Sequence, residues 1–314
     1  MANNKKRFET NSKGSLIFPQ NSQSIRQYHA NPCGCDDDFE NRPEIFVDKQ
    51  APNGGDGLTL ETAYNDLNKT ISCNPNTKIS IKGYGKNDPY ETVQNVDCIY
   101  LNGLDDKVFV SMILDCDASR FDNINCHNSS LNGVSGCLNS AFNNCTANGN
   151  EYNGFHACKN SNFNNCTAND NECKRYYSYN SGGFATCNNS NFNNCTAQNN
   201  GTNGFGSSDY SEYNFCLANE NSSHGFEDCH WSTFKNCTAN NNISHGFDLA
   251  RSTLESCTAN GNGYYISESD KHYACGFYGL HNDYLNCTAS GNVYHPNWKC
   301  DGTNYSHCNE CKEG

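Results

Sequence analysis

Residues 211–228 read SEYNFCLANENSSHGFED, and residues 232–249, one repeat later, read STFKNCTANNNISHGFDL. The cysteine shared by these segments recurs seven times, at Cys145, Cys166, Cys195, Cys216, Cys237, Cys257 and Cys287, with spacings of 21, 29, 21, 21, 20 and 30 residues. In every copy a large apolar residue stands three positions before the cysteine, an alanine two positions after it and an asparagine five positions after it. Such a period indicates a stack of similar units, because one unit is too short to bury its apolar side alone.

Each copy alternates apolar and polar residues over short runs, as in Phe234, then Cys237 and Ala239, then Phe247 and Leu249. This period of two predicts short strands, and the Asn, Gly and Ser residues between them predict turns. Stacked copies would form a solenoid of parallel strands that rises by about 4.8 Å per coil. The sequence therefore predicts an all-β parallel β-helix with Phe, Ala and Cys inside and asparagine ladders at the turns.

The region before the repeats reads EIFVDKQAPNGGDGLTLETAYNDLNKTI at residues 44–71 and KISIKGYGKNDPYETV at residues 78–93. It resembles the opening segment of pectate-lyase-like right-handed parallel β-helix proteins. The resemblance extends over roughly residues 44–294 and implies a single-stranded right-handed β-helix of about 21 residues per coil. It also implies a helix near residues 61–71 that covers the open N-terminal end, where unpaired strand edges invite aggregation.

On this basis the chain divides into an N-terminal arm (1–43), a cap with the first coils (44–100), the β-helix repeats (101–295) and a cysteine-rich C-terminal cap (296–314). The resemblance is specific for fold and says little about function, since lyases, hydrolases, epimerases, tailspikes, adhesins and inert spacers share it. Neither the Asp-rich calcium cluster with a catalytic Arg of the pectate lyases nor the Asp-Pro-His of the alginate epimerases is clearly present.

Composition limits the function and the compartment. A net charge of −13 argues against a nucleic-acid surface. No apolar run approaches the roughly 18 residues of a membrane span, and residues 1–20 lack a signal-peptide core, so we expect synthesis and retention in a cytosol. In that setting the 22 cysteines are expected to be mostly buried, reduced thiols rather than a disulfide framework.

Two copies carry insertions between the fixed Asn and the Gly of the Gly-Phe pair, at residues 172–182 and 263–275. Insertions in a solenoid map to loops on one face, and aromatic rings with polar tips suit contact with sugar rings. The candidate ligand-binding residues are Lys174, Arg175, Tyr176, Tyr177, Tyr179, Tyr264, Tyr265, His272 and Tyr273. Tolerated surface insertions are the alternative interpretation.

The two Ser-His-Gly-Phe-acid segments suggest a candidate catalytic pair. If Phe226 and Phe247 point inward, Glu227 and Asp248 should face solvent on adjacent coils, about 5 Å apart, which is near the separation in a retaining glycosidase. Their proximity should raise the pKa of one member. The stacked His224 and His245 are expected to add proton transfer or a metal contact. Repetition alone is the alternative reason for the stacking.

The C-terminal residues Cys300, Cys308 and Cys311, with His295 or His307, form a candidate four-ligand zinc site. Their spacing matches no standard zinc finger, so a capping segment with free or cross-linked cysteines is the competing interpretation. No other cofactor is predicted.

Three functions follow. The leading hypothesis is a non-catalytic β-helix that binds a glycan or a surface, either adhesin-like or as a component of a virion or other particle. The second is a polysaccharide hydrolase or lyase acting in a groove between the two insertions, and the third is an inert spacer. The basic N-terminal arm is the candidate for docking on a larger assembly, and a homotrimer is the oligomer that the resemblance to tailspike-like β-helices allows.

Overall fold

The computed structural model of the chain describes residues 39–74, 77–172, 182–265, 271–272 and 274–292. Equivalent residues of successive repeats pair side by side in parallel register, as Phe163 does with Phe142 on one side and Phe192 on the other. The strands before and after the insertion at residues 172–182 keep this pairing, since β11 (Gly182–Ala185) pairs with β9 (Phe155–His156) and β12 (Asn191–Asn193) with β10 (Asn162–Asn164). The predicted all-β parallel β-helix is confirmed.

One face of the solenoid is an eleven-stranded parallel sheet. Its strands are β1 (Glu44–Val47), β2 (Lys78–Ile81), β4 (Tyr100–Gly103), β6 (Arg120–Asp122), β8 (Ala141–Asn143), β10 (Asn162–Asn164), β12 (Asn191–Asn193), β15 (Glu212–Asn214), β18 (Thr233–Lys235), β20 (Thr253–Glu255) and β25 (Asp283–Leu285).

The second face is a nine-stranded parallel sheet, and it carries the candidate acid pair. Its strands are β3 (Val93–Gln94), β5 (Ile113–Leu114), β7 (Val134–Ser135), β9 (Phe155–His156), β11 (Gly182–Ala185), β14 (Asn203–Gly206), β17 (Phe226–Glu227), β19 (Phe247–Asp248) and β24 (Phe277–Tyr278).

A third face is built from shorter pairings. It contains the parallel pairs β13 (Thr196–Gln198) with β16 (Leu217–Asn219) and β21 (Thr258–Asn260) with β26 (Thr288–Ser290), and single bridges between equivalent threonines extend it. The second insertion adds an antiparallel pair, β22 (Tyr264–Tyr265) with β23 (Lys271–His272).

A short helix, α1 (Leu67–Cys73), precedes β2, and a 3-10 turn spans Phe39–Asn41. The helix begins six residues later than the predicted start at residue 61, because Asp66 is the N-cap and its side chain accepts a hydrogen bond from Lys69 N at 2.9 Å. Leu67 and Ile71 are buried in the same apolar cluster as β1 and β2. The role of α1 as a cover for the open end remains a prediction.

The interior is filled by two columns of stacked aromatic rings. Within a column the rings are nearly parallel, as in Phe192 and Tyr213, whose centroids lie 4.8 Å apart. Rings of different columns meet edge to face, as in Phe205 and Tyr213 at 5.6 Å. Burying one such side chain contributes about 1.5–3 kcal/mol relative to leaving it exposed, so the columns are a principal source of stability.

The predicted asparagine ladder is present inside the solenoid. Asn200 Oδ1 accepts hydrogen bonds from Asn171 N at 3.1 Å and Asn171 Nδ2 at 3.0 Å, and Asn200 Nδ2 donates in turn to Asn221 Oδ1 at 3.0 Å. Every polar atom of these buried amides therefore has a partner on a neighbouring coil, which is what burial of a polar group requires.

Among the described residues fifteen cysteines are free, and all of them except Cys73 are buried. Most of the thiols in the repeated cysteine column donate to a carbonyl group of the preceding coil, as Cys195 Sγ does to Phe163 O at 3.4 Å. The predicted burial is present for all of these residues except Cys73, and their reduced state stays a prediction. Cys98 differs because it is disulfide-bonded.

Within the part of the chain that the structure describes, no helix combines the length and the apolar character that a membrane-spanning helix needs.

Candidate functional site

The candidate acid pair lies in one column of the nine-stranded sheet, at the position after the inward-pointing aromatic residue. On β17 and β19 this column places Glu227 directly beside Asp248, as the repeat predicted. The flanking members are Gly206 on the preceding coil and Tyr278 on the following coil. Two carboxyls therefore occupy adjacent coils, about 4.8 Å apart along the axis.

The prediction that both carboxyls face solvent is wrong. Glu227 is only 6% exposed, and the side chain of Asp248 is 27% exposed. Glu227 is covered because its carboxyl is held from two sides: Asn203 Nδ2, on the preceding coil, donates to Oε2, and His224 Nδ1 lies 3.2 Å from Oε1. Gly206, its neighbour in the column, has no side chain to compete for this space.

The imidazole of His224 lies between the two carboxyls. Its Nδ1 is 3.2 Å from Glu227 Oε1, and its Nε2 is 3.8 Å from Asp248 Oδ2. The hydroxyls of Ser223 and Ser244 each lie 2.9 Å from one ring nitrogen and fix the ring orientation. An imidazole in this position occupies the space that a scissile glycosidic bond needs between two catalytic carboxyls, so the retaining-glycosidase arrangement suggested by the spacing does not apply to this geometry.

Burial changes the acid–base properties of all three groups. It raises the pKa of Glu227 to about 7, although the hydrogen bond from Asn203 opposes this. Burial, with the negative charge of Asp228, raises the pKa of Asp248 to about 6. Burial, with the proximity of His245, lowers the pKa of His224 to about 3. The expected rise in a carboxyl pKa is therefore present, but desolvation rather than crowding is its main cause.

His245 makes different contacts from those of His224. Its Nδ1 accepts a hydrogen bond from Cys275 N at 2.8 Å, and burial lowers its pKa to about 4. The ring stacks on Tyr278 with centroids 4.4 Å apart, and its centroid lies 5.3 Å from that of His224. Because Nδ1 accepts, the single proton of the neutral ring lies on Nε2.

The equivalent positions on earlier coils explain this contact. Asn132 Oδ1 accepts the backbone N–H of Asn153, and Asn203 Oδ1 accepts that of His224, in both cases from the next coil. His245 Nδ1 therefore does what an asparagine oxygen does elsewhere in the column. The ring nitrogens of His224 instead face side chains, namely the two serine hydroxyls and the carboxyls of Glu227 and Asp248.

His224, His245 and Asp248 offer ligand atoms within 4.8 Å of one another, the only such group found among the described residues. A metal-bound histidine needs a free lone pair on the ligating nitrogen. In His245 the Nδ1 lone pair accepts a hydrogen bond from Cys275 N, and Nε2 carries the ring proton. His245 therefore cannot bind a cation without losing either this hydrogen bond or this proton. The donor set fits a proton-transfer cluster better than a metal site.

Three of the predicted ligand-binding residues, Tyr264, Tyr265 and His272, lie in the hairpin of the second insertion. Tyr264 pairs with His272 across the β22–β23 hairpin, which returns to the solenoid at Cys275 next to His245. The remaining candidates lie outside the described residues: Lys174, Arg175, Tyr176, Tyr177, Tyr179, Tyr273, Cys300, Cys308 and Cys311.

Sequence reasoning missed Asn203 and the Asp228–His230 pair. Asn203 stands one repeat before His224, so the stacking of equivalent positions could have indicated that the two residues are neighbours. Asp228 Oδ1 lies 3.3 Å from His230 Nε2, and their hydrogen bond lowers the pKa of Asp228 and raises that of His230. This pair adds a negative charge beside the site and a histidine that is more readily protonated than usual.

No family model matches the sequence, and no curated protein matches it either. Solved structures do match. A pectate lyase, Pel9A, superposes with a TM-score of 0.53 at 14% identity, covering 80% of this chain and 79% of that one. A rhamnogalacturonan lyase superposes with a TM-score of 0.51 at 12% identity, covering 76% and 82%. The chain therefore has a right-handed parallel β-helix fold similar to the folds of these two lyases.

Proposed function

We propose that this protein acts on a polysaccharide by proton transfer through Asp248, His224 and Glu227. The observation that carries the proposal is the imidazole of His224, held between two carboxyls whose pKa values are both raised. Groups poised to gain or lose a proton near neutral pH are what general acid–base catalysis uses.

The three residues have distinct roles in this proposal. Asp248 is the most exposed of the three side chains, so it is the one that contacts the substrate. With a pKa of about 6 it is ionised at neutral pH and still basic enough to accept a proton. His224 orients Asp248 and links it to Glu227, which stores a proton in the interior near pH 7.

A single accessible base favours elimination over hydrolysis. Hydrolysis by two carboxyls needs both of them beside the glycosidic bond, and Glu227 is separated from that position by His224. The fold adds support for a glycan substrate, since two solved structures that superpose with this chain are named as a pectate lyase and a rhamnogalacturonan lyase.

The experiment is incubation of the reduced protein with bacterial and algal polysaccharides, followed by mass spectrometry of the released oligosaccharides. Asp248→Asn tests the base, and Glu212→Gln, an exposed acid on β15, is the matched control. Release that depends on Asp248 supports the proposal. A product with an unsaturated end indicates elimination, whereas a product heavier by one water indicates hydrolysis.

A second candidate is the non-catalytic glycan-binding rod, which is favoured by the burial of Glu227 and by the engagement of both His224 nitrogens. Retention on a polymer without release of fragments would support it. Neither retention nor release would support the spacer. The virion association, the homotrimer and the docking arm stay predictions.

A further inference from the structure

Most turns that follow the strands of the nine-stranded sheet contain two residues with positive φ, and the residue type at the second of these positions changes along the sheet. At this position three earlier coils carry asparagine, Asn139, Asn160 and Asn189, with φ of 52°, 55° and 56°. The next three coils carry Tyr210, Trp231 and Arg251, with φ of 56°, 52° and 57°. Asparagine tolerates this left-handed conformation, whereas bulky side chains disfavour it, so the change of residue type works against local folding preference.

These three side chains form a continuous exposed strip. The rings of Tyr210 and Trp231 are stacked with centroids 5.2 Å apart, and Arg251 Cζ lies 5.4 Å from the Trp231 ring centroid. Tyr210 is 56% exposed and Trp231 is 38% exposed, so burial does not explain why they replace asparagine. Among the described residues no carboxylate lies within ion-pairing distance of Arg251, although the protein has a net charge of −13.

Two members of the strip lie on the same coils as Glu227 and Asp248. Trp231 follows Glu227 by four residues, and Arg251 follows Asp248 by three. Disfavoured backbone conformations that persist without a packing reason cluster at functional sites. Here two of them, Trp231 and Arg251, follow the strands that carry Glu227 and Asp248, and the third, Tyr210, lies on the coil before.

We infer that the Tyr210–Trp231–Arg251 strip binds an extended polysaccharide chain along the solenoid axis, with about one sugar unit per coil. This inference rests on the proposed function and names the surface that would hold the polymer. The coil spacing of about 4.8 Å is close to the length of one pyranose unit. An extended peptide repeats the same face only every two residues, about 6.6 Å, and does not match the strip.

The exposed atoms suit sugar oxygens. The strip carries a phenol hydroxyl, an indole N–H and a guanidinium group, all of which donate hydrogen bonds. Sugar hydroxyl and ring oxygens, and carboxylates where the polymer has them, accept such bonds. The strip would thereby hold a chain in register with Asp248 on the adjoining sheet.

Native electrophoresis of the full chain through gels that contain polygalacturonate, alginate or xylan tests this inference. Trp231→Asn and Arg251→Asn restore the residue type that other coils carry at this position, so both variants should keep the fold. Phe215→Asn is the matched control, because Phe215 is also exposed and has a φ of 56°, but lies in a different turn whose equivalent residues include Asn165 and Asn194.

We expect at least one polymer to retard the wild-type protein, Trp231→Asn and Arg251→Asn to weaken that binding by about tenfold or more, and Phe215→Asn to leave it unchanged. Equal retardation of wild type and Trp231→Asn would overturn the strip and leave the proposed function standing. Loss of fragment release in Asp248→Asn with retardation intact would support separate binding and chemical roles. Absence of retardation in all three gels would overturn both the strip and the proposed function.

Discussion

Replacing Glu227 by glutamine should make the protein more stable at pH 8, although the substitution removes a charged group from a hydrogen-bonded cluster. The carboxyl is buried and its pKa is raised from the ordinary value of 4.5 to about 7. Between these pH values the folded state holds the proton more tightly than the unfolded chain does. The free energy of unfolding of the wild-type protein therefore falls as pH rises through this window.

The size of the effect follows from the two pKa values. A difference between 4.5 and about 7 corresponds to roughly 3 kcal/mol, at about 1.4 kcal/mol for each pKa unit. Glutamine copies the shape of the protonated acid, since its amide oxygen can accept from Asn203 Nδ2 and its amide N–H can donate to His224 Nδ1. It does not ionise, so it keeps at pH 8 the stability that wild type has only below pH 4.5.

The assay is thermal or urea unfolding followed by far-ultraviolet circular dichroism, from pH 4 to pH 8.5. Glu227→Gln should match the wild type at the acidic end and exceed it progressively above pH 5, by up to roughly 3 kcal/mol or several degrees in Tm. Glu212→Gln should show no pH-dependent difference, because Glu212 is exposed on β15. If Glu227→Gln is instead less stable than wild type at pH 8, Glu227 is ionised and paired with a protonated His224, and the assignment of a neutral imidazole is refuted.

Three further outcomes follow from the structure. Activity on a polysaccharide should rise as pH increases through about 6, where Asp248 ionises. Asp248→Asn should lower the rate by about 10²-fold or more. A pH profile without that rise would contradict the role of Asp248 as base. Asn221→Ala should lower the free energy of unfolding by about 2–4 kcal/mol, because it breaks buried hydrogen bonds to both neighbouring coils. Asn214→Ala, in a more exposed ladder, should lower it by less than about 1 kcal/mol. Equal losses in urea titrations would contradict the importance of the buried ladder. Under native conditions iodoacetamide should label the exposed Cys73 and leave the buried Cys195 unmodified, and peptide mapping by mass spectrometry measures both. Rapid labelling of Cys195 would show that the core opens readily.

The fold was predictable because a repeat that stacks in register forces equivalent residues into contact. Three columns of identical residues and one of large apolar residues were enough to predict which side chains meet, and Phe226 and Phe247 do lie side by side in the interior. The boundaries were less predictable: the start of α1 depends on the cap at Asp66 rather than on the amphipathic pattern from residue 61.

The candidate site was predictable only in its register. Strand alternation indicates that Glu227 points away from the core, but it does not indicate what lies outside the strand. His224, three residues earlier, and Asn203, on the preceding coil, close over the carboxyl, and neither contact follows from a periodic pattern. A column comparison could have singled out His224, because the asparagine that it replaces has a purely structural contact elsewhere.

The identity of successive coil interfaces has an evolutionary consequence. Each coil presents the same asparagine, aromatic and cysteine atoms to the coil before it and the coil after it, so the junction left by removing one whole repeat would resemble the junctions already present. Recombination between two copies can therefore lengthen or shorten the rod in steps of one coil without creating a new kind of contact. A site confined to two or three coils, such as the one around Glu227 and Asp248, would be carried along intact while the length of the molecule changed.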